Sequence, residues 1–281
     1  MNVRSGAPGG STRIEMRGVS KAFGSHGNAS PVAALANLDL RVPEGSFVSV
    51  VGPSGCGKTT ILRLVDGLLA ADAGEVRVSG APPRPGPQVG FVFQGFRLIP
   101  WATVEANVDF ALTSLRLDKA ERAERVSRYL ATVGLSRFAK AYPGTLSGGM
   151  KQRVALARAL ATDPEILLMD EPFASLDAQT RELMQTELMK LWEQRRQTVL
   201  FVTHSVDEAI LLSDRIVLMS PRPGRVIEEI EVGLPHPRWQ YDVRATPRFT
   251  ELRTRLWSAI RELVLNDPSS DFHNPSGRPT A

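Results

Sequence analysis

Residues 50–60, VVGPSGCGKTT, constrain the fold of this chain more than any other stretch. Gly52 is followed by four residues and then by Gly57-Lys58-Thr59, the spacing of a phosphate-binding P-loop. The apolar, β-branched run 46–51 before it suits a buried parallel strand. The apolar residues of 60–69 after it recur at helical spacing. In that setting Gly52, Gly55 and Gly57 permit a tight turn and a close approach of the backbone to phosphate oxygens. Successive N–H groups then form an anion nest at the positive end of the helix. Gly52, Pro53, Ser54, Gly55, Cys56, Gly57, Lys58, Thr59 and Thr60 are therefore expected to hold the phosphates of a nucleoside triphosphate. Lys58 supplies a point charge to the β- and γ-phosphates, and the Thr59 hydroxyl is an expected Mg²⁺ ligand.

Composition narrows the setting. The chain has 281 residues, 42% of them hydrophobic and 23% charged, as in a globular protein with a sizeable core. Its net charge of +4 is small and its basic residues are scattered, so no nucleic-acid partner is implied. The single cysteine, Cys56, cannot form an intrachain disulfide, which points to a reducing compartment. Its position inside the P-loop reads as small and space-filling rather than redox-active. No apolar run reaches the roughly 18 residues of a spanning helix, and the Gly/Ser/Pro-rich start lacks the apolar core of a signal peptide. If the protein serves a membrane process, a partner must supply the span.

Along the chain, 1–12 reads as a disordered tail, 13–19 as an edge strand, 24–30 as a loop and 32–42 as a second strand. The P-loop helix is expected to end at Ala73-Gly74, before a short strand at 75–78. Four prolines in 81–87 mark a surface loop, and 89–93 is a strand ending at Gln94. Helical patterns occupy 104–112, 119–133 and the run after 146–149. Strands return at 166–169, 198–202 and 216–219, separated by helices at 178–196 and 207–212. This alternation implies an α/β fold with a parallel core into which a helical segment, about 95–160, is inserted.

Two further constellations carry chemistry. The apolar strand ending in Asp170-Glu171 delivers two carboxylates to the end of a sheet where ligands bind. Asp170 is expected to hold Mg²⁺, and Glu171 to orient and deprotonate an attacking water. The glycine-rich turn Leu146-Ser147-Gly148-Gly149 opens a helix and is a second anion site. Two such sites imply either two ligands or one ligand sandwiched between two subunits.

The run LSGGMKQR, lying between the P-loop and Asp170-Glu171, resembles the signature of ATP-binding-cassette (ABC) ATPases. The resemblance spans about 12–235 and implies an α/β fold: a P-loop NTPase (RecA-like) core with an antiparallel β edge and an inserted α-helical subdomain. It divides the chain into a tail 1–12, an ABC ATPase domain 13–235 (core 13–94 and 161–235, signature subdomain 95–160), a helical extension 236–265 and a tail 266–281. It implies that Gln94 contacts Mg²⁺ or the lytic water, that Ser175-Leu176-Asp177 crosses a dimer interface, and that His204 contacts the γ-phosphate. Phe23, in KAFG, matches the aromatic that stacks on adenine, where Tyr is commoner. Gly144-Thr145, where His-Gln is frequent, and Ala174 are mild departures that leave catalysis intact. The family's head-to-tail dimer implies that Ser147, Gly148 and Gly149 of one copy complete the ATP site of the other, with Lys58, Gln94, Glu171 and His204 catalytic.

Residues 94–108, QGFRLIPWATVEANV, and the turn 220–227, SPRPGRVI, resemble the nitrate/sulfonate/taurine importer group. That resemblance implies separate permease subunits, a periplasmic solute-binding protein that delivers a small anion, and a peripheral location on the cytoplasmic face of the inner membrane. The alternatives are an exporter ATPase and a non-transport ABC ATPase. Finally, Thr246-Pro247 is a good helix start. Phe249, Leu252, Leu256, Ile260 and Leu263 then form one apolar stripe, expected to pack on the core.

Overall fold

The computed structural model describes residues 11–24, 31–268 and 270. The rest of the expected tails and of the loop 24–30 lies outside these residues. A three-stranded antiparallel sheet, order β2-β1-β4, is built from β1 (Thr12–Phe23), β2 (Val32–Pro43) and β4 (Ala73–Val78). A six-stranded sheet has the order β5-β6-β7-β3-β8-β9. Its strands are β3 (Phe47–Val51), β5 (Val89–Val92), β6 (Ile166–Asp170), β7 (Thr198–Val202), β8 (Arg215–Met219) and β9 (Val226–Glu231). All pair in parallel except β9, which runs antiparallel along β8. The described residues also form seven α-helices, α1 (Lys58–Val65), α2 (Val104–Leu112), α3 (Lys119–Thr132), α4 (Gly148–Ala161), α5 (Ala178–Arg195), α6 (Val206–Leu212) and α7 (Pro247–Asn266), and three short 3-10 turns. The architecture is the α/β, P-loop fold expected, with its antiparallel edge and its helical segment between β5 and β6.

The central strands are buried on both faces, and their alternation divides the core in two. Val48 and Val50 of β3, Ile166 and Leu168 of β6, and Leu200 and Val202 of β7 join α1 and the antiparallel sheet. Phe47 and Val51, Leu167 and Met169, and Val199 and Phe201 face the other way, onto α4, α5, α6 and α7. The same second cluster takes in Val104, Val108 and Leu112 of α2 and Leu130 of α3. Phe47 meets Trp192 edge-to-face at 5.8 Å and Phe201 at 5.7 Å, which fastens β3 to α5 and β7.

Several expectations are corrected. The stretch 13–19, expected as an edge strand, belongs to β1, which runs to Phe23 and lies between β2 and β4, so it pairs on both sides. Helix α1 ends at Val65, because Gly67 takes φ 78°, a left-handed conformation that stops a helix. Ala73-Gly74 therefore open β4 instead of ending the helix, and there a Cβ on Gly74 would stand 2.4 Å from Gly18 O across the sheet. Thr12 belongs to β1 and Asn266 to α7, so both expected tails begin one residue further out. In α7, Thr246 caps the first turn by accepting the Phe249 N–H at 3.3 Å. Phe249, Leu252 and Leu256 are buried, and Ile260 and Leu263 pack partly buried on the same cluster.

The segment before α7 is held by charge. Arg238 is buried, and its guanidinium donates to the carbonyls of Ile210, Leu211, Ser213 and Leu234 at 2.8–3.2 Å, closing the C-terminal end of α6. His236 lies between two carboxylates, with Nδ1 2.6 Å from Glu193 Oε1 and Nε2 3.0 Å from Asp214 Oδ1. Asp214 also accepts the Phe47 N–H at 2.9 Å, at the start of the P-loop strand. Burial pushes its carboxyl up, but the bonds from His236 and Phe47 outweigh this and hold it below the ordinary carboxylate range. A depressed carboxylate contributes stability that is present above its unfolded value of about 3.9 and is lost as pH falls through the folded value. Asp214→Asn is therefore expected to lower stability by about 1–2 kcal/mol at pH 7. The gap from wild type should close below about pH 4. Urea midpoints measured at pH 7 and pH 3 check this, and a gap independent of pH would contradict it.

Candidate functional site

The loop between β3 and α1 is shaped by glycine. Gly55 takes φ 75° and Gly57 φ 95°, conformations that any side chain would strain. A Cβ on Gly57 would also lie 2.6 Å from Leu35 Cδ2 and 2.9 Å from Ala34 O. Lys58 is buried, and its Nζ donates to the carbonyls of Gly52 at 2.8 Å and Pro53 at 2.9 Å. Cys56 Sγ stands 3.6 Å from the same ammonium, and burial pushes the thiol up despite that neighbour.

Asp170 and Glu171 leave the end of β6 beside this loop. The Thr59 hydroxyl donates to Asp170 Oδ1 at 3.1 Å. Asp170 is almost fully buried, which pushes its carboxyl up, while the Thr59 hydroxyl opposes the shift. A hydroxyl and a buried carboxylate side by side are hard oxygen donors, the kind of pair that suits Mg²⁺. Glu171 takes φ 49°, an uncommon conformation for a residue other than glycine, and its N–H is fixed to Val202 O at 2.9 Å. Its Oε2 lies 3.2 Å from Nδ1 of His204, which follows β7 and is exposed.

A cleft of about 500 Å³ gathers most of the expected residues: Phe23 at its rim, the loop from Ser54 to Thr60, Gln94 and Glu171. Asp170 and His204 join it through Thr59 and Glu171. Ser147, Gly148 and Gly149 do not line the cleft. Ser147 caps α4, its Oγ accepting the Met150 N–H at 3.2 Å, while Gly148 and Gly149 form the helix's first turn. Gly149 abuts the chain's own Leu176, 3.2 Å from a Cβ placed on the glycine. Within one chain, the second anion site and the cleft are therefore separate.

Sequence reasoning missed three lining residues, Val32, Ala34 and Arg222. It also missed a buried network behind His204. The Thr203 hydroxyl donates to Glu208 Oε2 at 2.6 Å and accepts the Ser205 N–H at 3.0 Å. Gln185 donates to Glu208 Oε1 at 3.2 Å, and Arg181 lies 4.0 Å from the same oxygen while donating to Leu176 O at 2.8 Å. The acid at the fourth position after His204 was a visible signal, but only the fold brings α5 to meet it.

A family model described as "ABC transporter" matches residues 35–174. An uncharacterized ABC transporter ATP-binding protein of Methanocaldococcus jannaschii is 47% identical over 254 residues, 90% of this chain and 93% of that one. The aliphatic sulfonates import ATP-binding protein SsuB of Bacillus cereus is 43% identical over 244 residues, 86% of this chain and 94% of its own length. Among solved structures, the dimeric post-hydrolysis state of the ATP-binding cassette MJ0796 bound to ADP and Pi superposes with a TM-score of 0.72. It is 36% identical and covers 78% of this chain and 98% of that one.

Proposed function

This chain belongs to the ABC transporter family and is an ATP-binding, ATP-hydrolysing protein, and we propose that it energises import of a small anion, such as a sulfonate, nitrate or taurine, through a separate permease. The observation that carries the reading is the division of the site: the loop Ser54–Thr60, Gln94 and Glu171 share one cleft, and Ser147–Gly149 lie outside it. Two copies placed head to tail would close each cleft with the other's signature turn, and the similarity to a dimeric cassette supports that arrangement.

In this reading the N–H groups of Gly55–Thr60 and Lys58 Nζ bind the phosphates, Gly52 and Pro53 position Lys58 through their carbonyls, and Phe23 stacks on the base. Thr59, Asp170 and Gln94 would hold Mg²⁺, which supplies charge neutralisation at the phosphates when bound. Glu171 accepts the proton of the attacking water, and His204, beside it, orients the carboxylate and meets the γ-phosphate. Ser147 and Gly149 of the second copy donate to the γ-phosphate, and Gly148 allows close approach. Residues 13–235 form the ATPase domain, with its core at 13–94 and 161–235 and its signature subdomain at 95–160; residues 236–265 are a helical extension.

Among the described residues no helix is long and apolar enough to cross a membrane, and in this reading a separate permease supplies the span. The helical segment offers a docking face: Trp101 is 81% exposed and Tyr142 is exposed, and their segments are joined by Val104 N–H to Ala141 O at 2.9 Å. The importer reading, with a periplasmic solute-binding protein and a peripheral place on the cytoplasmic face, is supported by the similarity to an aliphatic sulfonates import protein.

The test is affinity purification from solubilised membranes. A multi-span protein should copurify, and Trp101→Ala should reduce its recovery about tenfold, as for an exposed aromatic anchor. Deleting the gene should abolish growth on an aliphatic sulfonate, taurine or nitrate as the sole source of its element. Recovery without any membrane chain, together with stimulation of the ATPase by nucleic acid, would overturn the transport reading.

A further inference from the structure

The turn Ser-Pro-Arg-Pro-Gly-Arg at 220–225 has so far been given no chemical task. It follows β8, which pairs in parallel with β3, so it emerges beside the P-loop. Gly224 seals it there: its N–H donates to Ala34 O at 2.9 Å, its carbonyl accepts the Ala36 N–H at 3.2 Å, and Cys56 O lies 1.9 Å from where a Cβ would stand. Ser220 closes the turn, with its N–H bonded to Arg225 O and its hydroxyl accepting the Arg225 N–H, both at 2.9 Å. Arg222 is flanked by Pro221 and Pro223, whose fixed φ angles stiffen its base.

The guanidinium of Arg222 reaches onto the P-loop. Its Nε donates to Gly55 O at 3.2 Å, and Nη2 lies 2.9 Å from the position a Gly55 Cβ would take. It lines the same cleft as Lys58, Thr59 and Thr60. Many surface arginines are paired, as Arg215 is with Glu229 at 2.7 Å and Arg253 with Asp207 at 3.0 Å. Among the described residues no carboxylate pairs with Arg222. A guanidinium carries five N–H donors in a planar fork that matches phosphate oxygens, and Arg222 uses one of them on Gly55. The cleft's other charged side chains are Lys58, which gives two of its three donors to Gly52 and Pro53, and Glu171, with Asp170 adjoining through Thr59.

We infer that Arg222 is a second cationic ligand for the nucleotide's phosphates, placed by the turn against Gly55 of the P-loop. This rests on the reading of the cleft as the ATP site. In this reading Arg222 has two linked tasks: Nε steadies the Gly55 peptide, and the terminal nitrogens are left free to bond the polyanion. Because the group sits at the rim, its attraction is open to screening by salt.

Arg222→Gln separates these tasks, since a glutamine amide can still donate to Gly55 O but carries no charge. ATP affinity is measured by titration calorimetry for wild type, Arg222→Gln, Arg222→Lys and Lys58→Ala. Arg222→Gln is expected to raise the Kd for ATP about tenfold, the loss of one charge-assisted bond. Arg222→Lys should fall between wild type and Arg222→Gln, because the charge is kept and the fork is lost. The gap between wild type and Arg222→Gln should shrink as salt rises, and the thermal midpoint should not move. Wild-type affinity in Arg222→Gln, or a loss indifferent to salt, would overturn the assignment and leave Arg222 a brace for the loop. Lys58→Ala separates the two readings. If it leaves ATP affinity intact, the cleft is not the ATP site; if it abolishes affinity while Arg222→Gln does not, only the role of Arg222 fails.

Discussion

Glu171→Gln is expected to lower ATP turnover by about a thousandfold while leaving ATP affinity within about twofold, the pattern of a lost general base. The reason lies in how little else the substitution changes. The backbone of Glu171 is fixed by its N–H to Val202 O and by its left-handed φ, and Gln is the same length. Asp170, which the Thr59 hydroxyl bonds, is untouched. The amide can still bond a water, but it cannot take up the proton, and it loses the charge facing His204 Nδ1 at 3.2 Å. Phosphate release measured beside equilibrium binding checks both halves. The variant should also accumulate as an ATP-bound dimer by size exclusion, because the step that reopens it is slowed. A wild-type rate would remove Glu171 from the chemistry.

Gly224→Ala is expected to be strongly damaging, since no other described glycine would bring a new Cβ so close to its surroundings. The new Cβ would stand 1.9 Å from Cys56 O, 2.8 Å from Met219 Cε and 3.1 Å from the Cys56 carbonyl carbon. The methionine tip can yield; the two backbone atoms belong to the P-loop and cannot move without opening it. Overpacking of this kind costs about 1–3 kcal/mol, and here backbone displacement puts the expectation at the upper end. ATP affinity should fall about a hundredfold, because a shift near 1 Å in a positioning element costs that much. Gly144→Ala is the control, since nothing lies within 4 Å of a Cβ there. Thermal midpoints and nucleotide titrations on both variants decide it. A Gly224→Ala protein that melts and binds like Gly144→Ala would mean that the turn does not clamp the loop.

The parts of the site that were legible in the sequence are the ones fixed by local spacing. Gly52 to Thr59 specify their own turn, and the apolar run before Asp170 specifies a buried strand that must release its carboxylates at one end. The limits of α2 were also local, since Thr103 caps it by accepting the Ala106 N–H at 3.3 Å. What depends on which strands are neighbours was not legible. Arg222 meets Gly55 across 167 positions only because β8 lies against β3, and no periodicity encodes that adjacency. Glu208 joins Gln185 and Thr203 for the same reason, across α5 and α6. The end of α1 was misjudged because Leu68 and Leu69 continue the apolar spacing past Gly67, and Leu68 proves to be exposed.

The three strands that deliver the chemistry, β3, β7 and β6, are consecutive in the sheet, and each is packed from both sides. Hydrogen-bonded strands stand about 4.8 Å apart, so the sheet acts as a ruler. The backbone of β3 stands one interval from that of β7 and two intervals, roughly 10 Å, from that of β6, and side chains such as Thr59 and Asp170 bridge the gap. Neither hydrophobic cluster leaves the ladder room to stretch. The segment with Trp101 and the turn at Ser147 lie outside this ladder, so the proposed contacts with a permease and with a second copy are made away from the strands that set the spacing.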